Sequence, residues 1–362
     1  MTLPLSGLRI VTAAEQYPGP YATMILADLG AEVIIVERPG AGDPTRAFPA
    51  FHAALNRNKR SVALDLKSAE GCAGLRRLLG TADVFIEGFR PGTMTRLGFG
   101  PDDVSAINSQ TVYVSITGFG QTGPNRLRAA HDISYQASAG LLHARVADRD
   151  TSAIDELALG DLSSGTFAVV GTLAALLARQ QTGRGAHVDV SMTDGLVSWL
   201  TASLVPSLND QPNPELGSAE PAYGLFACAD GKLLSLSVAY EDWFWEPLCD
   251  LLDMSDVREL PRAARIRGRV ALRDRLENAL LQRTRDEWSG LLDAADIAWS
   301  PVLDIAEVQQ DKHFRDRDLF HAVPLTDGTT LTCVAQPLMF DGARPGPTRG
   351  TPQLGEANRD LL

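Results

Sequence analysis

Residues 8–37 read LRIVTAAEQYPGPYATMILADLGAEVIIVE, and this stretch decides the fold class. The apolar residues 8–11 predict a short buried strand. A helix is predicted over 20–29, because a proline can open it and Gly30 can end it. The run 32–37 predicts a second strand. A strand, a helix and a strand form a βαβ unit, which pairs its strands in parallel through a right-handed crossover.

The same alternation continues to about residue 205. Three further strands are predicted, at 83–87, 112–117 and 187–191. Three further helices are predicted, at 69–79, 163–181 and 194–204. Strands that alternate with helices predict an α/β domain with a doubly wound, mostly parallel sheet. We therefore assign residues 1–205 to one large domain.

The pattern changes after residue 205. Residues 206–220 are rich in proline and polar side chains, which is typical of a linker. Residues 221–305 show no βαβ alternation and predict a smaller α+β domain. Its predicted elements are two strands, 223–228 and 232–238, helices over 242–252, 270–282 and 285–294, and a strand near 301–303. A C-terminal segment, 306–362, has two further strand signals, at 321–325 and 330–334.

Composition narrows the class of protein. The 362 residues include 33 Lys and Arg against 45 Asp and Glu, a formal net charge of −12, which disfavours a nucleic-acid partner. The longest nearly apolar run, 167–178, is too short to span a bilayer, and no secretory signal is visible at the start. The four cysteines are scattered, so neither a zinc site nor a disulfide framework is indicated. We expect a cytoplasmic globular protein with no membrane partner.

One motif resembles a dinucleotide fingerprint. Residues 118–123 read GFGQTG, which fits G-x-G-x-x-G and follows a predicted strand. However, Pro124 comes next, residues 125–130 lack the apolar stripe of a packed helix, and the strand is not the first of its domain. We therefore interpret the motif as a loop whose glycines permit unusual dihedral angles or close backbone approach.

Segments along nearly the whole chain resemble the class III CoA-transferases, a family that also contains the α-methylacyl-CoA racemases. In chain order they are LSGLRIV (5–11), LADLGAEV (26–33), RNKRSV (57–62), FRPG (89–92), GFGQTGP (118–124), GD (160–161), TGRG (182–185) and DVSM (189–192). The resemblance implies a Rossmann-like large domain, a smaller domain, and a C-terminal segment that returns to the large domain. It also implies a homodimer of interlocked subunits.

The resemblance implies two alternative chemistries at Asp161. Transferases of the family use the matching aspartate as a nucleophile, which forms a mixed anhydride and then an aspartyl-CoA thioester. Racemases use it as a base, together with a histidine in a motif similar to residues 131–135, HDISY. The motif also contains Asp132, which is a further candidate. Racemases have a glutamate that matches Glu241 and orients the histidine.

Racemisation explains why two groups are needed. A proton α to a thioester must leave one face and another must arrive at the opposite face, so two acid/base groups flank a planar enolate. We assign these roles to His131 and Asp161, and expect backbone N–H groups at the start of the helix over 163–181 to stabilise the enolate oxygen. One departure from the racemases is Leu157, where they tend to have asparagine.

Each of these residues also has a structural explanation. Asp161 alone is typical of a helix N-cap, and Glu241 of a first-turn helix charge. A single loop histidine such as His131 is usually structural, and Asp132 fits a solvated loop carboxylate equally well.

The resemblance implies that coenzyme A enters as part of the thioester substrate, with no tightly bound cofactor and no metal. An acidic protein needs local cations to bind the CoA phosphates. The residues assigned to this role or to the adjoining site are Arg38, Lys59, Arg60, Arg90 and Tyr135. The alternative is that the basic residues form a solvated surface stretch.

Three functions follow from these residues. The leading prediction is a racemase or epimerase that inverts the α-carbon of a 2-methyl-branched acyl-CoA. The first alternative is a CoA transferase between carboxylic acids. A non-catalytic CoA-binding protein is the second alternative, and the presence of His131, Asp161 and Glu241 disfavours it.

Overall fold

The computed structural model describes residues 3–146, 157–212, 219–325 and 328–362. The chain divides into two compact units. The first comprises Met1–Ala202 and His313–Leu362, and the second comprises Ser203–Lys312. The sequence instead predicts a linker over 206–220 and a small domain over 221–305, so the second unit is longer at both ends than the predicted small domain.

The first unit is built on six strands, β1 (Arg9–Thr12), β2 (Glu32–Glu37), β3 (Lys59–Ala63), β4 (Val84–Glu87), β5 (Val112–Thr117) and β6 (His187–Ser191). Its helices up to the second unit are α1 (Pro18–Asp28), α2 (Pro49–Leu55), α3 (Ala69–Leu79), α4 (Thr93–Arg96), α5 (Pro101–Ile107), α6 (Asp132–Ser138), α7 (Leu141–Val146), α8 (Leu159–Thr182) and α9 (Met192–Trp199). Helix α10 (Thr201–Leu208) crosses into the second unit.

All six strands are parallel, in the order β3-β2-β1-β4-β5-β6. This confirms the predicted parallel α/β sheet. The chain winds outward from β1 to β3 and then restarts at β4, so the topological switch point lies between β1 and β4. Ligands of such sheets bind at the carboxyl ends of the strands near that point.

Helices cover the sheet on both faces. Successive side chains of a strand point to opposite faces, so Ile10 packs into the core cluster formed with α1 and α8, while Val11 packs into the cluster on the α3 side. Every residue of β4 and β5 is buried. A strand buried on both faces needs a continuous apolar run, and this explains why the sequence signal for these strands was clear.

Strand β3 was not predicted. It begins with Lys59 and Arg60, and this basic start resembles an exposed surface segment. The C-terminal segment lies against it: Ala357 N donates to Ser61 O at 2.9 Å, and Asn58 Oδ1 accepts from the backbone N–H of Arg349 at 2.8 Å. These tertiary contacts, which are not visible in the sequence, account for the strand.

Helix α8 begins at Leu159, four residues before the predicted start. The first turn contains a glycine, which lowers the helix signal in the sequence. A distant carboxylate, that of Asp132, accepts hydrogen bonds from the N–H groups of Gly160 and Asp161. The helix is therefore extended by a tertiary cap.

By length and composition alone, α8 could cross a membrane, whereas the predicted apolar run was too short. The difference arises because the 24-residue helix begins eight residues before the run, and the turns that precede the run include Leu, Ser, Gly and Thr. It contributes Ala168, Val169, Ala175 and Leu176 to the core cluster beneath the sheet. Its other face exposes Phe167, Val170, Leu173 and Leu177.

The second unit contains an antiparallel sheet of β7 (Tyr223–Ala227), β8 (Leu233–Ser237) and β9 (Trp299–Pro301). Its helices are α11 (Asp242–Leu251), α12 (Arg262–Arg267), α13 (Arg269–Leu280), α14 (Arg285–Ala294) and α15 (Ile305–Gln310). A core that includes Phe226, Leu234, Trp245 and Trp288 joins sheet and helices. Helix α10 includes Pro206 and ends at Leu208, so the first residues of the predicted linker are helical.

The chain then returns to the first unit. The remaining elements are α16 (Lys312–Asp316), which begins at the boundary, β10 (Phe320–Pro324), β11 (Thr330–Val334) and α17 (Asn358–Leu361). Strands β10 and β11 form an antiparallel hairpin.

Candidate active site

A cavity of about 280 Å³ opens at the carboxyl ends of the central strands. The loops that follow β1, β4 and β5 line it, as does the start of α8. Five predicted site residues lie on its wall, namely Arg90, His131, Asp132, Tyr135 and Asp161. The topology thus brings together residues that are up to 71 positions apart in the sequence.

Asp132 organises one side of this cavity. Its Oδ1 accepts hydrogen bonds from Gly160 N at 2.7 Å and from Asp161 N at 3.0 Å. Its Oδ2 accepts from the amide of the buried Gln136 at 2.5 Å. A side chain on Gly160 would meet Asp132 Oδ1 at 2.8 Å, so this close approach requires glycine. Asp132 therefore fixes the backbone that presents Asp161.

Asp161 is the third residue of α8, not the residue before the helix that the sequence suggested. Burial of its carboxyl group, with a smaller contribution from the negative charge of Asp132, raises the pKa of Asp161 to about 7. Burial disfavours the charged carboxylate and a neighbouring like charge adds to the effect. Asp161 can consequently exist in both protonation states near neutral pH.

His131 immediately precedes α6 and is exposed to solvent. Its carbonyl oxygen accepts the Ser134 and Tyr135 backbone N–H groups. The Tyr135 hydroxyl donates to Ala130 O at 2.9 Å, which ties the helix to the loop before it. His131 and Asp161 line the same cavity, as the two-base hypothesis requires.

The glycine-rich loop after β5 confirms the structural interpretation of G-x-G-x-x-G. A Cβ on Gly118 would lie 2.3 Å from the Tyr135 ring, so the backbone must approach that ring closely. Gly120 and Gly123 have φ angles of +78° and +81°, which favour glycine.

A second cavity of about 680 Å³ lies along the carboxyl ends of β1 to β4 and shares Glu15 and Phe89 with the first. Its apolar wall includes Val36, Leu64, Leu66 and Leu97. Its cations are Arg38, Lys67 and Arg96. Apolar walls with cations at the rim suit a nucleotide with its phosphates.

Arg38 is largely exposed and its Nε lies 3.3 Å from a Glu15 carboxylate oxygen. Burial raises the pKa of Glu15, and the nearby Arg38 partly offsets that effect. Of the predicted CoA-binding cations, Arg38 and Arg90 each line one of these two cavities.

Lys59 and Arg60 do not line either cavity, and this corrects the sequence-based assignment. They begin β3, whereas ligands lie beyond the carboxyl ends of parallel strands. The Lys59 ammonium is fully buried and donates to Pro20 O and Asn56 Oδ1, both at 2.9 Å, and burial lowers its pKa. Arg60 instead pairs with Glu32 at 3.2 Å and Asp360 at 2.9 Å.

The expected donors for an enolate oxygen are also corrected. The N–H groups of Gly160 and Asp161 are taken by Asp132. Those of Leu159 and Leu162 donate to the carbonyl oxygens of Leu157 and Ala158. The start of α8 therefore offers no available backbone donor in this structure.

Glu241 belongs to the second unit, where it immediately precedes α11. Its Oε2 accepts a hydrogen bond from Ala239 N at 3.2 Å, a local contact. Its predicted role as the group that orients His131 stays a prediction.

Two cavity residues were missed by sequence reasoning, Arg126 and Arg128. They stand in the segment 125–130, whose sequence lacks the apolar stripe of a packed helix. Two arginines between a glycine-rich loop and the HD pair were the available signal.

The model of CoA-transferase family III matches residues 5–358. Human alpha-methylacyl-CoA racemase is 33% identical over 99% of this chain and 92% of its own. Succinate–glutarate CoA-transferase of Agrobacterium fabrum is 31% identical over 99% and 95%. The crystal structure of Rv3272 from Mycobacterium tuberculosis superposes with a TM-score of 0.89 at 32% identity, covering 99% of both chains.

Proposed function

The chain belongs to CoA-transferase family III, and on that premise we propose that it is an acyl-CoA racemase or epimerase acting on 2-methyl-branched thioesters. One observation supports this proposal above the others: Asp161, with a pKa raised to about 7, lines one cavity with His131. A general acid/base works best when its pKa lies near the operating pH.

In the proposed reaction one group removes the α-proton and the other returns a proton to the opposite face. When Asp161 is ionised and His131 is protonated, Asp161 takes the proton and the electron pair of the C–H bond moves into an enolate. His131 then donates its proton to the α-carbon. In the reverse direction His131 removes the α-proton and Asp161 donates one. The same pair of groups, with one proton between them, therefore catalyses both directions.

The CoA portion would extend from the second cavity to the first. We place the nucleotide against the apolar wall formed by Val36 and Leu64, with Arg38, Lys67 and Arg96 on its phosphates. The uncharged pantetheine arm would then pass Glu15 and Phe89, which both cavities share, and deliver the thioester to Asp161.

A CoA transferase is the second candidate, because the relatives include a CoA-transferase that is similar over nearly the whole chain. In that mechanism the Asp161 carboxylate attacks the thioester carbonyl and CoA leaves as a thiolate. Only the ionised form can attack, and a pKa near 7 leaves much of it protonated at neutral pH. The acid/base role, by contrast, uses both protonation states of Asp161, and a pKa near 7 supplies both.

Isotope exchange separates the two activities. The enzyme is incubated in D2O with a 2-methylacyl-CoA and without an acceptor acid, and the α-hydrogen is followed by NMR. Deuterium at the α-carbon is the expected result. If exchange is absent and hydroxylamine traps an acyl-dependent adduct on Asp161, the transferase is correct.

Two variants test the assigned groups. His131→Ala should reduce exchange strongly, whereas His143→Ala, an exposed histidine on α7 outside both cavities, should not. Asp161→Asn should abolish exchange. Full activity of His131→Ala would refute the two-base mechanism.

The homodimer also remains a proposal. The apolar side chains that α8 exposes, Phe167, Val170, Leu173 and Leu177, support burial against a second copy. Light scattering coupled to size-exclusion chromatography tests it, and a monomer at micromolar concentration would contradict it. Cytoplasmic localisation likewise stays a prediction.

A further inference from the structure

Two guanidinium groups in the reaction cavity have no acidic partner among the residues that the structure describes. Arg126 and Arg128 line the cavity that holds Asp161, and both are exposed. Within residues 3–146, 157–212, 219–325 and 328–362, neither forms an ion pair with a carboxylate. Arg38, by contrast, already has Glu15 as a partner.

The loop that presents Arg128 is held in place. The Arg128 guanidinium carbon lies 5.9 Å from the centroid of the Phe119 ring, a cation–π contact. Phe119 in turn packs edge-on against Tyr135 with ring centroids 5.4 Å apart. The Tyr135 hydroxyl donates to Ala130 O, and Arg128 N donates to Asn125 O at 2.8 Å. The guanidinium is thus positioned before any ligand arrives.

The phosphates of CoA have other cations available. Arg38, Lys67 and Arg96 line the second cavity, where the proposed function places the nucleotide. The pantetheine arm that separates the phosphates from the thioester is uncharged. Arg126 and Arg128 instead share a cavity with Asp161, which must meet the acyl group.

We infer that Arg126 and Arg128 bind a carboxylate on the acyl group, so that the substrate is the monothioester of a dicarboxylic acid. Arginine suits this ligand because its planar fork of donors matches a carboxylate. The inference rests on the proposed function to the extent that a thioester must occupy the cavity. It does not depend on whether Asp161 acts as a base or as a nucleophile.

A matched pair of thioesters tests the inference. The first is 2-methylglutaryl-CoA, esterified at C1 and carrying a free distal carboxylate. The second is the same compound with a distal amide, which has similar size and no charge. For each thioester, the dissociation constant and the rate of α-deuterium exchange are measured with wild type, Arg126→Gln and Arg128→Gln. Arg184→Gln is the control, because this exposed arginine lies outside both cavities.

We expect the wild type to bind the carboxylate about 10- to 100-fold more tightly than the amide, the range typical of hydrogen bonds to a charged group. Arg128→Gln should remove most of this preference, Arg126→Gln should reduce it, and Arg184→Gln should retain it. Equal binding of the two thioesters by wild type would overturn the inference. Equal weakening of both by Arg128→Gln would also overturn it, because the arginine would then bind CoA itself.

The two proposals fail in different ways. Absence of deuterium exchange with a retained preference for the carboxylate in binding contradicts the racemase and supports the arginine site. Exchange of both thioesters at equal rates, with equal affinities, supports the racemase and overturns the arginine site. Circular dichroism of the variants confirms that these exposed loop substitutions leave the fold intact.

Discussion

Asp161→Asn should make the protein more stable at neutral and alkaline pH while it abolishes activity. The pKa of Asp161 rises from 3.8 to about 7 on folding, mainly through burial. The folded state therefore binds the proton more tightly than the unfolded state does. Stability from this group is fully present below pH 4 and is lost as the pH rises to about 7.

The size of the effect follows from the pKa values. A change of one in pKa corresponds to about 1.4 kcal/mol, so ionised Asp161 costs the folded state about 4 kcal/mol. About 2.5 kcal/mol of this stability is lost between pH 5 and pH 8, because the proton of Asp161 dissociates from the folded state over that range. Asparagine has nearly the same shape as aspartate and no charge. The free energy of unfolding of Asp161→Asn should therefore increase relative to wild type by about 2.5 kcal/mol from pH 5 to pH 8.

Thermal unfolding at pH 5, 6, 7 and 8 measures the difference. For a chain of this size about 2.5 kcal/mol corresponds to about 3 °C in Tm. Asp194→Asn is the matched control, because Asp194 is also the third residue of a helix, α9, but its side chain is exposed. Parallel wild-type and Asp161→Asn curves from pH 5 to pH 8 would refute the argument from burial.

Three further substitutions test the surrounding structure. Gly118→Ala places a Cβ 2.3 Å from the Tyr135 ring, and we expect the displaced loop to reduce exchange by roughly 100-fold in a kinetic assay; unchanged activity would contradict the required close approach. In the wild type the buried Arg57 pairs with the Asp28 carboxylate at 2.7 Å. Asp28→Ala removes that carboxylate and should lower the free energy of unfolding, measured with urea, by about 3–5 kcal/mol. The double variant with Arg57→Met should recover part of that loss, and no recovery would argue against a paired charge. Arg38→Gln should raise the KM for an acyl-CoA about tenfold and leave that of an acyl-pantetheine unchanged; an equal effect on both would remove Arg38 from the phosphate site.

Most of the sheet was predictable because β1, β2, β4 and β5 are mostly apolar runs separated by turn signals. The predicted bounds 32–37 and 112–117 match β2 and β5. Strand β3 was missed because its buried lysine is stabilised by partners from distant segments: Lys59 donates to Pro20 O, and the strand pairs with β2. A pattern of local polarity contains no information about such partners.

The candidate site was predictable where a motif names both the residue and its neighbour, as for His131 and Asp132. The prediction was wrong where the direction of a strand decides whether a residue can reach the ligand. Lys59 and Arg60 belong to a motif of the family, yet they begin a strand and so lie at the sheet edge opposite the ligand-binding ends.

The sequence by itself determined the α/β class, the family and the identity of the acid/base candidates, since these depend on local periodicity and on residue order. Tertiary structure alone decided that the pKa of Asp161 is raised, because burial and the charge of Asp132 act through space. It also decided that Asp132, 29 positions earlier, occupies the N–H groups expected to hold the enolate oxygen. Finally, it placed Arg126, Arg128 and Asp161 in the lining of one cavity, since a parallel sheet gathers the loops from the carboxyl ends of its strands.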